Sequence, residues 1–132
     1  MTDLELIEIA KEARQLSYSP YSNFKVGASL LTKDGEVYKG ANIENASYPL
    51  CMCAARNAIY NAYMDGKKKD DFIALAIIAD TTDPCSPCGA CRQVISELLP
   101  KTAKIILANL KGDIKITTIE ELLPFSFDSK DL

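Results

Sequence analysis

From Phe72 to Ala79 the chain carries no polar side chain, between the charged run Lys67-Lys68-Lys69-Asp70-Asp71 and the turn-forming Asp80-Thr81-Thr82-Asp83-Pro84. A strand with one wet face alternates apolar and polar residues, so a short unalternating run reads as a strand buried on both faces. Such a strand needs a layer of helices on each side of its sheet. The helical patterns on either side of it in the sequence are the candidates for those layers.

Thr2 and Glu5 have capping-box spacing, and Leu6, Ala10, Ala13 and Leu16 follow at helical intervals, predicting a first helix to about Ser17. Ser19-Pro20-Tyr21-Ser22 stops it. Val26, Ala28 and Leu30 alternate, Asp34-Gly35 supplies a turn, and Val37 to Ala41 returns as the second arm of a hairpin. A helix is expected from roughly Cys53 to Met64, closed by Gly66, and another from Gly89 to Leu99, ended by Pro100. Ile105 to Leu110 is the next strand, and Lys111-Gly112-Asp113 is too short for a crossover helix, so Ile114 to Thr117 should pair antiparallel with it. Thr118 and Glu121 mark a short last helix that stops at Pro124. The expectation is an α/β fold, a three-layer α/β/α sandwich around a five-stranded mixed sheet, in one domain over residues 1–132.

At 48% hydrophobic and 25% charged, the composition is that of an ordinary folded protein. A net charge of -3 gives no broad basic field for a polyanion, so no nucleic acid partner is expected, and Lys67-Lys68-Lys69 is assigned to a solvated loop. A small molecule is the better candidate ligand. The start, Met1-Thr2-Asp3-Leu4-Glu5, is acidic where a secretory signal is basic, and no apolar run reaches the length of a membrane span, which points to a cytoplasmic protein without membrane contact. In a reducing compartment, five closely spaced cysteines suggest metal or redox chemistry over a disulfide framework.

Cys88 and Cys91 are three apart at the start of a predicted helix, on one face, and Cys53 heads the other core helix. The apolar strand between those helices brings both starts to one sheet edge. Helix amino ends favour thiolates, and three protein ligands leave one position of tetrahedral zinc open, as catalytic sites require. Cys85-Ser86-Pro87-Cys88 is also a CxxC of redox type, and buried cysteines often only fill space. Cys51 and Cys85 read as packed or free thiols, with a closing fourth-ligand role as the alternative.

Four stretches together resemble the small tetrameric cytidine deaminases: Tyr18 to Ala28, Asn42 to Tyr48, Cys53-Ala54-Ala55-Arg56, and Pro87-Cys88-Gly89-Ala90-Cys91-Arg92-Gln93. The similarity covers nearly the whole chain. It implies Zn²⁺ held by Cys53, Cys88 and Cys91, and hydrolysis of cytidine and 2′-deoxycytidine to uridine and 2′-deoxyuridine with release of ammonia, a mechanism that belongs to zinc deaminases in general. It also implies that Asn42 and Glu44 bind the ribose hydroxyls and that Phe24 packs on the pyrimidine. The backbones of Ala54 and Ser86 would meet the base edge, and Phe125 would come from a neighbouring subunit of a homotetramer. Arg56 fits a role beside the thiolates, where a guanidinium can hydrogen-bond sulfur and keep the ion electrophilic, and Arg92 is a second candidate.

The family pattern begins Cys-Ala-Glu, and this chain has Cys53-Ala54-Ala55. The missing glutamate is the family's proton carrier, so zinc and nucleoside binding are expected with little or no turnover. Two readings of Ala55 stand, a deliberate substitution that traps substrate and a natural pseudoenzyme, and the intact remainder of the site favours the first. The competing functions are a blasticidin-type antibiotic deaminase, alike in fold and zinc, and a non-catalytic nucleoside-binding module. A polynucleotide deaminase is disfavoured by the short turn before the last strand, since those relatives resemble a parallel arrangement there.

Overall fold

The computed structural model describes residues 1–132, with helices α1 (Asp3–Arg14), α2 (Ala54–Met64), α3 (Gly89–Leu98) and α4 (Ile119–Leu122). The strands are β1 (Val26–Thr32), β2 (Val37–Ala41), β3 (Phe72–Ala79), β4 (Lys104–Asn109) and β5 (Ile114–Thr117). They form one sheet in the order β2-β1-β3-β4-β5. Only β3 and β4 pair parallel, and β5 turns back antiparallel on β4 as the Lys111-Gly112-Asp113 turn requires.

The long apolar strand occupies the centre, and its side chains feed two cores. Ala74, Ala76 and Ile78 meet Leu6, Ile7 and Ala10 of α1 on one face, while Leu75, Ile77 and Ala79 meet Ala58, Ile59 and Ile95 of α2 and α3 on the other. The three layers follow from this alternation. One residue departs from the expected two-sided burial. Register slips between Leu31 and Thr32, so that Phe72 joins the α2 and α3 side and Ile73 is left 46% exposed.

Helix α1 begins as its capping box predicts, with Thr2 Oγ1 accepting from Glu5 N–H at 3.1 Å and Glu5 Oε1 accepting from Thr2 N–H at 3.0 Å. It ends at Arg14, short of Ser17, because the Leu16 and Ser17 amides bond to carbonyls three residues back and tighten the turn, which exposes Leu16. Two glycines set how closely helices approach the sheet. A Cβ on Gly27 would lie 2.0 Å from the Ala10 carbonyl oxygen, and one on Gly40 would lie 2.3 Å from the Ala54 carbonyl oxygen and 2.4 Å from Ala58 N. Gly40 therefore fixes the first turn of α2, where Cys53 sits.

Candidate metal centre and nucleoside pocket

Strands β2 and β3 run in the same direction, so α2 and α3, which follow them, both begin at the carboxyl edge of the sheet. The connection into α2 is drawn back to that edge by backbone bonds between Ile43 and Met52, each N–H donating to the other's carbonyl at 2.9 Å. Cys53 is the N-cap residue of α2 and Cys88 that of α3, where the Cys88 sulfur accepts from Cys91 N–H at 3.5 Å.

Sulfur atoms of Cys53, Cys88 and Cys91 all lie within 4.8 Å of one another, and those of Cys53 and Cys88 are 3.8 Å apart. Tetrahedral zinc with Zn–S bonds of about 2.3 Å places neighbouring sulfurs about 3.8 Å apart. The spacing and the soft donor set therefore fit zinc. Cys51 is turned to the backbone of Asn45, accepting from its N–H at 3.3 Å and donating to its carbonyl at 3.6 Å. Cys85 is buried outside the trio, and its N–H bonds to the Ala108 carbonyl at 3.0 Å.

Ionisation is uneven among the sulfurs. The Cys91 thiol hydrogen bond, and then the Arg56 guanidinium, hold Cys53 down to about 5 against the opposing effect of burial. Cys91 is pushed up, first by donating to the Cys53 thiolate and then by burial. Arg56 Nη2 donates to the Cys53 sulfur at 3.2 Å, while its Nε is buried with no partner. The positive charge and the two helix amino ends face the site that would carry three thiolates.

Above the sulfurs is a cavity of about 200 Å³ whose wall includes Phe24, Asn42, Ala54, Ala55 and Ser86. Ala55 is 3% exposed, its methyl part of that wall. The Asn42 side chain is committed within the chain: Nδ2 donates to the Phe24 carbonyl at 2.7 Å and Oδ1 accepts from Val26 N–H at 2.9 Å. Glu44 opens on a neighbouring cavity of about 310 Å³ beside Tyr21, Ser22 and Tyr48. Its carboxylate accepts from the amides of Tyr21 at 3.0 Å and Ser22 at 3.2 Å and from the Ser22 hydroxyl, bonds that lower its pKa, the hydroxyl most.

Phe125 stands apart from this cavity, fully exposed and at a φ of 54°. Arg92 bonds to oxygens of Pro87, Ser86 and Leu122. Sequence reasoning passed over Ile77, Val26 and Pro87, which also line the cavity. The carboxyl end of a strand feeding a helix start was the available signal for Ile77. No helix is long and apolar enough to cross a membrane.

The family profile described as cytidine and deoxycytidylate deaminase zinc-binding region matches residues 1–108. Proteins named cytidine deaminase from Halalkalibacterium halodurans and Sporosarcina psychrophila are 54% and 51% identical over 127 and 128 residues. These matches cover 96% and 97% of this chain and 95% and 93% of the relatives. A crystal structure of cytidine deaminase from Burkholderia pseudomallei superposes with a TM-score of 0.95 at 50% identity, covering 96% of this chain and 100% of that one. Spacing of sulfurs, sheet order and sequence agree, and the chain belongs to the cytidine and deoxycytidylate deaminase zinc-binding family.

Proposed function

We propose that this chain is a zinc-dependent cytidine and 2′-deoxycytidine deaminase fold that binds its nucleoside with little or no turnover. The observation that carries the reading is the set of three sulfurs, spaced for one tetrahedral ion, beneath a small cavity. Cys53, Cys88 and Cys91 would hold the ion. Bound zinc supplies Lewis acidity that makes water nucleophilic near neutral pH. Water then replaces the amino group at C4 of the pyrimidine, giving uridine and ammonia from cytidine.

The chain's own residues divide the remaining work. Phe24 forms the apolar wall for the ring, and the backbones of Ala54 and Ser86 meet the polar edge of the base, where N–H and C=O groups read an amide without side-chain chemistry. Asn42, through the second N–H of its Nδ2, and Glu44, through its carboxylate on the adjoining cavity, would serve the ribose while holding the Tyr21 to Val26 segment in place. The Arg56 guanidinium stabilises the Cys53 thiolate. Proton transfer to the ring nitrogen and the leaving amine needs an ionisable group on the wall, and the methyl of Ala55 supplies none.

The cavity is smaller than the roughly 300–1,000 Å³ of pockets that enclose drug-sized ligands, so it suits a pyrimidine ring better than a whole nucleoside. Closure by Phe125 of a neighbouring subunit in a homotetramer supplies the missing wall, and the full exposure of that ring supports this reading. Five free thiols suit the reducing cytoplasm.

Ala55→Glu tests the assignment. A single positioned acid–base group contributes about 100- to 10,000-fold, and here one group serves several transfers, so Ala55→Glu should deaminate cytidine at least about 1,000-fold faster than this chain. An equal rate in the two proteins contradicts the role given to position 55. Competition between cytidine and blasticidin S for the unreacted chain separates the nucleoside from the antibiotic reading, with cytidine expected to win.

A further inference from the structure

Arg92 makes three side-chain bonds that join two distant segments. Nε donates to the Pro87 carbonyl at 2.9 Å and Nη2 to Ser86 Oγ at 2.6 Å, both on the loop that ends in Cys88, while Nη1 donates to the carbonyl of Leu122, the last residue of α4, at 2.7 Å. Upstream, the loop is pinned where Cys85 N–H bonds to Ala108. Downstream, Arg92 N–H bonds to the Cys88 carbonyl at 3.0 Å, so the residue belongs to the helix that Cys88 caps and its side chain folds back to grip the approach to that cap. Pro87 has no N–H with which to anchor the loop itself. A planar guanidinium can satisfy three acceptors at fixed angles, whereas an ammonium is a compact point donor.

We propose that Arg92 is a positioning residue that sets the Cys88 loop against α4 and so ties the thiol site to the carboxyl-terminal segment carrying Phe125. The part concerning Phe125 rests on the proposed function, in which that ring serves a neighbouring subunit. Through this clamp, the seating of Cys88 in one subunit and the presentation of Phe125 to the next depend on the same side chain.

The test compares the chain with Arg92→Gln, Arg92→Lys and Ser86→Ala. It reads zinc transfer to a chromophoric chelator, the thiolate charge-transfer bands of the cobalt(II) form, and cytidine binding. Groups that orient metal ligands typically change affinity by about 10- to 100-fold, and Arg92→Gln is expected to lose at least about 10-fold in zinc affinity, shift the cobalt bands and weaken cytidine binding. Arg92→Lys should recover part of each effect, and Ser86→Ala, which removes one of three acceptors, should show the smallest change. If these substitutions lower the unfolding temperature while the cobalt bands and zinc affinity stay unchanged, Arg92 only supports the fold and the proposal is overturned. Should Arg92→Gln fail to fold, unchanged bands in both Arg92→Lys and Ser86→Ala overturn it equally. Phe125→Ala separates the two readings: it should weaken cytidine binding with no change in the cobalt bands. Unchanged cytidine binding there sinks the subunit-sharing reading and leaves the metal-loop result to decide the role of Arg92.

Discussion

Position 55 lies two residues past a sulfur ligand, 3% exposed on an apolar wall, and a carboxylate placed there would be held in low dielectric. Burial raises a carboxyl pKa toward neutrality, which suits a group that must both take and give protons. The same burial costs stability, so Ala55→Glu should be about 1–3 kcal/mol less stable than this chain in urea titration while gaining turnover. Glu44 shows the opposite tuning. Its pKa is lowered from 4.5, chiefly by the Ser22 hydroxyl bond and then by the amides of Tyr21 and Ser22. A lowered folded pKa means that the contribution of the contact is fully present above 4.5 and is lost as pH falls through the lower folded value. The pH transition followed at the Ser22 amide resonance should therefore be centred below 4.5. A transition centred above 4.5 contradicts the assignment.

At the scale of elements, Gly40 decides where α2 starts. A methyl there must displace the backbone at Ala54 and Ala58, so Gly40→Ala should cost about 1–3 kcal/mol of stability and reduce zinc occupancy by shifting Cys53. Unfolding titration and metal analysis check both, and normal zinc content with normal stability contradicts the packing. The sequence carried the element pattern because periodicity and turn residues are local signals: β2 and β5 begin just after the turns at Asp34-Gly35 and Lys111-Gly112-Asp113, and β3 spans the unbroken apolar run from Phe72 to Ala79. Two departures escaped periodicity, one set by pairing between distant segments and one by a local tightening of the chain. The exposure of Ile73 follows from a slip against β1, and the early end of α1 from tightened hydrogen bonds after Arg14. In the site, the cysteines and Ala55 were legible because their spacing along helix starts is local. The commitment of Asn42 to the Phe24 and Val26 backbone, and the grip of Arg92 on Pro87 and Leu122, depend on loop geometry that no short motif encodes.

For the molecule as a whole, several large apolar side chains stand exposed, surface of the kind that the proposed homotetramer would need to cover. Phe125 is fully exposed and Met64 is 87% exposed, and Met64 joins Leu16, Ile43 and Tyr60 around one shallow groove. Sedimentation equilibrium should return a tetramer of the 14.5 kDa chain, and a monomer at micromolar concentration contradicts shared sites. Most directly, X-ray absorption at the zinc edge of the purified, zinc-loaded chain counts the atoms around the ion. One zinc per chain surrounded by three sulfurs at about 2.3 Å and one lighter oxygen or nitrogen neighbour is the predicted result. A shell of four sulfurs, or protein that stays metal-free in excess zinc, contradicts the account.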